Sequence, residues 1–191
     1  MNKPDWVAYI DKTGTHVHDL HLISKLLWAN QKNKRALSIG SGAGNDAVNL
    51  LENKWDVTCV DIESYSEIAI KSRTKKKFKF QNASFENIVF DGKYSYVSAY
   101  NAFPFGDKKY LRKIVDTIYE HLVKGGVFAL TLFSNTHTFV KNKTCYGITK
   151  EYISKLFANY ELLWCDKNEQ DLKRKFGIVH WSAYDIIVIK K

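Results

Sequence analysis

The sequence is poor in proline and cysteine and has no long hydrophobic run. It contains 2 prolines and 3 cysteines in 191 residues, and 45% of its residues are hydrophobic. No apolar stretch reaches the ~20 residues of a membrane-spanning helix, and no apolar leader segment follows Met1. We therefore expect neither a membrane protein nor a secreted precursor, but one globular domain with a core of its own.

The cysteines and histidines offer no pattern of metal ligands. Cys59, Cys145 and Cys165 are odd in number and widely spaced, so they fit neither a disulfide framework nor a zinc site. His18 and His21 lie close in sequence, but no acidic or cysteine partner is in view. We expect reduced thiols, no bound metal and, from the reduced thiols, a cytoplasmic location.

Arginine is scarce, although the chain carries a formal net charge of +9. Lysines make up nearly all of the basic residues, and they are scattered except in the run from Lys71 to Lys79. A nucleic-acid footprint is one interpretation of this charge. The other is a solvated face, because lysines near a helix C-terminus complement the helix dipole. The scatter favours the solvated face, so a nucleic-acid partner is the less favoured expectation.

Helix-like and strand-like patterns alternate along most of the chain. The hydrophobic spacing predicts helices over 19–29, 46–53, 111–122 and 149–157. Apolar runs predict strands over 36–39, 57–60, 78–80, 94–100, 127–133, 160–165 and 183–189. Ser64 and Glu67 predict a capping box at the start of a further helix.

This alternation predicts an α/β fold of the Rossmann-like, doubly wound type. Its mostly parallel sheet would have about seven strands, with helices on both faces. The last two strands have no helix-length pattern between them, so they should pair as an antiparallel hairpin at the sheet edge. We expect a single domain with a helical lead-in at 1–34, a ligand-binding core at 35–134 and a closing helix and hairpin at 135–191.

The segment R-A-L-S-I-G-S-G-A-G-N-D-A-V combines a strand, a glycine turn and a helix start. Gly40, Gly42 and Gly44 would lie at the carboxyl end of the strand, where a missing Cβ lets a ligand approach the backbone. Asp61 ends the next strand and can accept hydrogen bonds from both ribose hydroxyls. The spacing differs from the G-x-G-x-x-G of dinucleotide binders. Asp46 would repel a pyrophosphate, so it suits a ligand with a cationic end or is only a charge partner of the helix N-terminus.

I-G-S-G-A-G, with V-D-I at the end of the second strand, resembles the class I methyltransferases that use S-adenosylmethionine. H-L-V-K-G-G-V-F-A-L-T (121–131) is similar to the segment leading into that family's fifth strand, without its proline. Y-S-Y-V-S-A-Y-N-A-F (94–103) is similar to its fourth strand and active-site loop. The compact build and T-H-V-H (15–18) are most similar to tellurite-resistance and thiopurine-type small-molecule methyltransferases.

The resemblance implies S-adenosylmethionine as the cofactor, together with a set of contact residues. The implied contacts are Gly40, Gly42, Gly44, Asp61, Ile62, Ser84, Phe85 and Tyr100, joined by Asp46 if its carboxylate faces the cationic end of the ligand. Ser38 stands where the family carries an acidic residue, and Ser84 (or Asn82 in another register) replaces its adenine-edge carboxylate. These changes keep hydrogen-bonding capacity but lose charge, so a degenerate member without catalysis is an alternative.

The implied reaction is an in-line transfer of the methyl group to a small-molecule acceptor, with no membrane partner. Positioning supplies much of the catalysis, and a soft nucleophile such as a thiolate needs no protein base. Tyr100, Asn101 and His180 are candidate catalytic residues, each with a purely structural alternative, and none is assigned. A methyltransferase acting on RNA or protein is the alternative function, and the acceptor atom and the oligomeric state are left open.

Overall fold

The computed structural model describes residues 5–28, 31–174 and 177–191. In this part of the chain the strands are β1 (Arg35–Ile39), β2 (Asp56–Asp61), β3 (Lys79–Asn82), β4 (Tyr94–Ala99), β5 (Leu122–Phe133), β6 (Tyr160–Arg174) and β7 (Gly177–Lys190). The helices are α1 (Trp6–Lys12), α2 (Asp19–Trp28), α3 (Asn45–Glu52), α4 (Tyr65–Arg73), α5 (Leu111–His121), α6 (Thr138–Lys141) and α7 (Lys150–Leu156). None of these helices is long and apolar enough to span a membrane. The predicted end of α2 at Ala29 lies outside the described residues.

The strands form one sheet in the order β3-β2-β1-β4-β5-β7-β6. Strands β1 to β5 run parallel, and β7 pairs antiparallel with both β5 and β6. The predicted Rossmann-like sheet with an antiparallel terminal hairpin is confirmed. Because the strand order reverses between β1 and β4, the carboxyl ends of these two strands border the crevice in which such sheets bind ligands.

Both faces of the sheet are covered by helices. Side chains alternate between the faces of a strand, so Ala36 and Leu37 enter different layers of the core. Leu37 packs in one layer with Val97 and with residues of α5 and α7. Ala36 packs in the other with Tyr96 and with residues of α2 and α3. These two layers hold β1 and β4 side by side, which fixes the place of their carboxyl ends.

The terminal hairpin is longer than the sequence predicts. Strand β6 continues to Arg174, and β7 begins at Gly177. The added length is mostly polar and exposed, so it lacks an alternating apolar pattern, and the backbone ladder between the two strands holds it. Phe133, the last residue of β5, pairs with Ala183. Residues 169–174 and 177–182, which we call the hairpin arm, therefore extend past the carboxyl edge of the sheet.

One local prediction is wrong and another is shifted. Ser64 has helical dihedral angles (φ −63°, ψ −25°), and its side chain makes no capping hydrogen bond. Glu67 instead forms a salt bridge with the lysine one turn further along α4. The third strand spans 79–82 rather than 78–80, because it pairs with β2 as far as the last residue of β2.

Candidate active site

The turn between β1 and α3 is built from three left-handed glycines. Gly40, Gly42 and Gly44 have φ angles of 66°, 48° and 76°, a region that glycine enters at little cost. The N–H of Gly40 donates to the carbonyl of Val60 at 2.8 Å, and that of Gly44 to the carbonyl of Ser41 at 2.7 Å. These bonds fix the turn against β2 at the carboxyl edge of the sheet.

The three glycines differ in what surrounds them. A Cβ added to Gly40 would lie 2.4 Å from the Cβ of Ala102, and one added to Gly44 would lie 2.3 Å from Cγ1 of Ile70. Around Gly42 the nearest atom is the carbonyl oxygen of Gly40, at 4.0 Å. Gly40 and Gly44 are thus needed for close packing against the loop after β4 and against α4. Gly42 is the member of the turn that faces open space.

Asp61, the last residue of β2, is joined to this turn through its side chain. Its Oδ2 accepts the Gly42 N–H at 2.8 Å, and its Oδ1 accepts the Glu63 N–H at 2.9 Å. Burial raises the pKa of Asp61, against the opposing effect of these two N–H groups. An ionised carboxylate offers roughly four lone-pair positions. Asp61 can therefore hold the turn and still accept further hydrogen bonds from a ligand.

A groove of about 690 Å³ lies along β3, with Ile62 and Ser84 among its lining residues but without Asp61 itself. The Ile62 side chain is 65% exposed. Asn82 also lines the groove, but its amide donates to the carbonyls of Asp61 and Ile62, so its hydrogens are already used. Phe85 packs edge-on against Phe103, at 5.0 Å between ring centroids. The structure thus brings Ile62 and Ser84 together and turns Phe85 towards the loop after β4.

The candidate catalytic residues Tyr100 and Asn101 follow β4 directly, beside the glycine turn. Asn101 has a left-handed backbone (φ 52°), which is uncommon for a residue with a side chain. Its Oδ1 is buried and has no hydrogen-bond partner among the described residues. Asparagine tolerates this conformation better than most residues, so the buried acceptor without a partner is the observation that points to a ligand site.

Tyr100 ends a chain of buried hydrogen bonds. Its hydroxyl lies 2.5 Å from that of Tyr96, which lies 3.2 Å from Nδ1 of His21. Nε2 of His21 lies 3.1 Å from Oδ1 of Asn49. Because Oδ1 can only accept, Nε2 carries the proton, Tyr96 donates to Nδ1, and Tyr100 donates to Tyr96. Burial lowers the pKa of His21 to about 4 and raises that of Tyr100 well above 10, so the chain is neutral at physiological pH.

The segment between α1 and α2 covers Tyr100. The ring of His18 stacks on that of Tyr100, with 4.4 Å between centroids and 5° between planes. The backbone N–H of His18 donates to Oδ1 of Asp46 at 3.2 Å, and its Nδ1 accepts the Leu20 N–H at 3.2 Å. Burial raises the pKa of Asp46 to about 7. Asp46 thus anchors this N-terminal segment to the start of α3.

Asp185 of β7 also belongs to this region, and no sequence pattern identifies it. Its Oδ1 accepts the hydroxyl of Thr131 on β5 at 2.9 Å. Burial raises the pKa of Asp185, and its negative charge opposes the lowering of the His18 pKa by burial. His18, Tyr100 and Asp185 come from three distant parts of the chain. The segment after the fourth strand identifies Tyr100 in the sequence, and T-H-V-H includes His18, but neither signal carries information on the stacking of the two rings.

His180 lies in the hairpin arm, apart from this cluster. Its Nδ1 lies 2.7 Å from Oδ1 of Asp171, and its Nε2 lies 3.1 Å from Oε1 of Glu169. These two carboxylates raise the pKa of His180. Its backbone N–H donates to the hydroxyl of Thr138. None of its hydrogen bonds within the described residues reaches Tyr100 or the glycine turn.

Aromatic side chains gather at the carboxyl edge between α1 and the hairpin arm. The ring of Phe105 lies 5.0 Å from that of Trp6 and 5.7 Å from that of Phe133. His137 stacks on Phe133 at 3.9 Å, and Trp181 packs against His137 at 5.1 Å. This aromatic cluster continues from the loop that carries Tyr100.

Residues 36–126, just under half of the chain, match a family model described as a methyltransferase domain. Curated proteins give no significant match. Among solved structures, TehB from Haemophilus influenzae superposes with a TM-score of 0.77 at 17% identity, over 97% of this chain and 67% of that one.

The N-methyltransferase NodS from Bradyrhizobium japonicum, in complex with S-adenosylhomocysteine, superposes with a TM-score of 0.67 at 12% identity, over 96% and 93% of the two chains. A 1,6-didemethyltoxoflavin N1-methyltransferase from Burkholderia thailandensis superposes with a TM-score of 0.65 at 16% identity, over 90% and 78%. At these identities the superpositions establish a common fold.

Proposed function

We propose that this chain is a class I S-adenosylmethionine-dependent methyltransferase that methylates a small molecule at the carboxyl edge of its sheet. The observation that carries the proposal is the contrast within the glycine turn. Gly42 faces open space, while its neighbours Gly40 and Gly44 are packed. Beside it, Asp61 keeps acceptor capacity after binding two backbone N–H groups.

The residues present fit this cofactor. Asp61 accepts the ribose hydroxyls, and the exposed side chain of Ile62 offers an apolar surface to the adenine ring. The unpartnered Oδ1 of Asn101 is an acceptor for an N–H, such as that of the α-ammonium group. When bound, the cofactor supplies a methyl group on a positively charged sulfur, already activated for transfer.

The acceptor binds beside Tyr100, between the N-terminal segment and the aromatic cluster. Stacking by His18 and the hydrogen bond to Tyr96 hold the Tyr100 ring in one orientation, and such positioning is the main contribution that a protein makes to in-line transfer. A small acceptor is supported by the neighbour with bound 1,6-didemethyltoxoflavin and by a magnesium protoporphyrin IX methyltransferase of similar fold (TM-score 0.68, 11% identity).

The lysine run argues against a nucleic-acid acceptor. Lys75, Lys76 and Lys77 are exposed and precede the first residue of β3. The start of a parallel strand lies at the amino edge of the sheet, opposite the crevice that holds the ligand. A nucleic acid bound to these lysines could not present an atom to the methyl group.

The two histidines beside Tyr100 are not free bases, which supports an acceptor that is already an anion, such as a thiolate. Both ring nitrogens of His21 are engaged in hydrogen bonds, and its pKa is lowered to about 4. Nδ1 of His18 is occupied by the Leu20 N–H. An amine or alcohol acceptor would need a base in this position.

Methyl transfer from labelled cofactor to a panel of thiols, amines and total RNA tests the proposal. We expect labelling of at least one small thiol, equal in the wild type and in a variant with Lys75, Lys76 and Lys77 replaced by Gln. RNA labelling that falls in this triple variant would contradict a small-molecule acceptor. Cofactor binding without transfer to any acceptor would indicate a degenerate member.

A further inference from the structure

Asp46 places a carboxylate between the glycine turn and Tyr100. It is the second residue of α3 and follows Gly44 closely in sequence. Its Oδ1 is held by the backbone N–H of His18, whose ring covers Tyr100. Asp46 therefore lies on the side of the turn next to His18 and Tyr100, where we place the methyl acceptor, while Asp61 lies at the end of β2 and binds Gly42.

This half-buried carboxylate has no counter-ion. Among the described residues, no lysine or arginine forms a salt bridge with Asp46, and its Oδ2 makes no hydrogen bond. Arg73 of α4 approaches the turn, but its guanidinium donates to the carbonyl of Ala43 and to the side chain of Asn45. A partly buried charge without a partner is costly, so the site favours a ligand that brings a positive charge.

The proposed reaction removes such a charge. The lone pair of the acceptor forms a bond to the methyl carbon, the carbon–sulfur bond breaks, and its electron pair stays on sulfur. The sulfonium becomes a neutral thioether, while the α-ammonium and carboxylate groups of the cofactor are unchanged. The cofactor before transfer and the thioether that it becomes after transfer therefore differ by one methyl group and one positive charge.

We propose that Asp46 selects the positively charged cofactor over its neutral product, S-adenosylhomocysteine, and so favours release of the product after transfer. The inference rests on the proposed function. In this proposal Asp46 interacts with the positive charge on sulfur, which S-adenosylmethionine has and S-adenosylhomocysteine lacks. Asp61 and Gly42, in contrast, meet parts that both ligands share.

The selection depends on pH, because only the ionised carboxylate attracts the sulfonium. The titratable and charged groups near Asp46 are His16 and His18 of the N-terminal segment, Tyr96 of β4, Tyr100 directly after β4, and Arg73 of α4. His21 of α2 and Asp185 of β7 lie close to His18. Burial raises the pKa of Asp46 to about 7, so the carboxylate is mostly protonated at pH 6 and mostly ionised at pH 8. Selectivity for the cofactor should rise over this interval.

Isothermal titration calorimetry with S-adenosylmethionine and S-adenosylhomocysteine at pH 6 and pH 8 tests the inference. Asp46→Asn keeps an oxygen for the His18 N–H and removes only the charge. At pH 8 we expect this variant to bind S-adenosylmethionine about tenfold more weakly and S-adenosylhomocysteine within about twofold of the wild type, as suits one partly screened charge pair. Asp19→Asn, at an exposed carboxylate near His16, is the matched control and should change neither affinity.

Proton release gives a second readout. At pH 7, titrations in buffers of different ionisation enthalpy should show S-adenosylmethionine expelling a fraction of a proton from the wild type and little from Asp46→Asn. Equal weakening of both ligands by Asp46→Asn would overturn the inference and assign Asp46 to a part that they share. No weakening of either would also overturn it. If the wild type binds neither ligand, the proposed function itself fails.

Discussion

The two sides of the crevice are built in different ways. On the cofactor side, the glycine turn and Asp61 lie within 22 residues of sequence and are joined by backbone hydrogen bonds. On the proposed acceptor side, His18 and Tyr100 come from distant parts of the chain and meet by ring stacking, and Asp185 of β7 acts on His18 through its charge. Local backbone geometry makes the first side recognisable in the sequence. The second side exists only once the sheet has assembled.

Substitution of Gly42 should have the greatest effect on cofactor binding. Gly42→Val places a branched side chain where the ligand meets the backbone, in a left-handed conformation that valine disfavours. We expect cofactor affinity to fall by roughly a hundredfold or more, about 2.7 kcal/mol, while the variant remains folded because Gly42 has no close packing partner.

Gly125→Val is the matched control for this change. Gly125 is also left-handed (φ 71°) and also has no atom near its added Cβ, but it lies at the start of β5, at the amino edge. It carries a similar backbone penalty and should leave cofactor affinity unchanged. Calorimetry that finds the same loss in both variants, or none in Gly42→Val, would show that the turn is only structural.

On the acceptor side we expect a smaller and different effect. His18→Ala removes the ring that stacks on Tyr100 but keeps the backbone N–H that binds Asp46. Loss of one aromatic contact is worth ~0.5–1.5 kcal/mol, so the KM for the methyl acceptor should rise several-fold while cofactor affinity changes little.

Steady-state kinetics and calorimetry on the same variant separate these two quantities. His16→Ala, at an exposed histidine of the same segment, is the control and should alter neither. A fall in cofactor affinity with an unchanged acceptor KM would show that His18 contacts the cofactor rather than the methyl acceptor, and would contradict the prediction.

The contrast also explains which features the sequence reveals. The mostly parallel sheet, the terminal hairpin and the glycine turn follow from local patterns, because apolar runs and glycines report directly on strands and turns. The hairpin arm is missed because its residues are polar and its strands are stabilised by pairing with each other. The capping box at Ser64 fails because the residue itself adopts helical angles, which takes its side chain out of capping position.

At the site, the sequence identifies residues whose role depends on position along a strand or turn. Asp61 and Ile62, at the end of the second strand, are residues of this kind. The stacking of His18 on Tyr100 joins a residue that precedes α2 to a residue that follows β4. No local sequence pattern reports on a contact between such distant parts of the chain. The unpartnered Oδ1 of Asn101 depends on what the fold leaves around it, which no sequence pattern encodes.

The smallest effect concerns stability and pH. Burial raises the pKa of Asp46 to about 7 in the folded protein, well above that of an exposed aspartate. The folded state therefore binds more protons than the unfolded state, and the contribution of Asp46 to stability is lost as pH rises through this interval. Asp46→Asn should remove this slope.

The measurement is the difference in Tm between the wild type and Asp46→Asn, without ligand, from pH 5 to pH 8. Taking the difference cancels the contribution of His21 to the pH dependence of stability, which has the opposite sign because its pKa is lowered. We expect the Tm of the variant to rise relative to that of the wild type by at least a few degrees between pH 5 and pH 8. A difference that does not change with pH would mean that Asp46 ionises as an exposed carboxylate does.

The central claim, that Asp61 and the glycine turn hold S-adenosylmethionine, is tested most directly by thermal denaturation with S-adenosylhomocysteine and with NADH. At about 100 times its dissociation constant a ligand adds ~2.7 kcal/mol of stability, which is roughly 5–11 °C for a chain of this size. We predict this shift for S-adenosylhomocysteine, its loss in Asp61→Ala, its retention in Asp56→Ala at the other end of β2, and none with NADH. A shift with NADH and none with S-adenosylhomocysteine, or an undiminished shift in Asp61→Ala, would contradict the account.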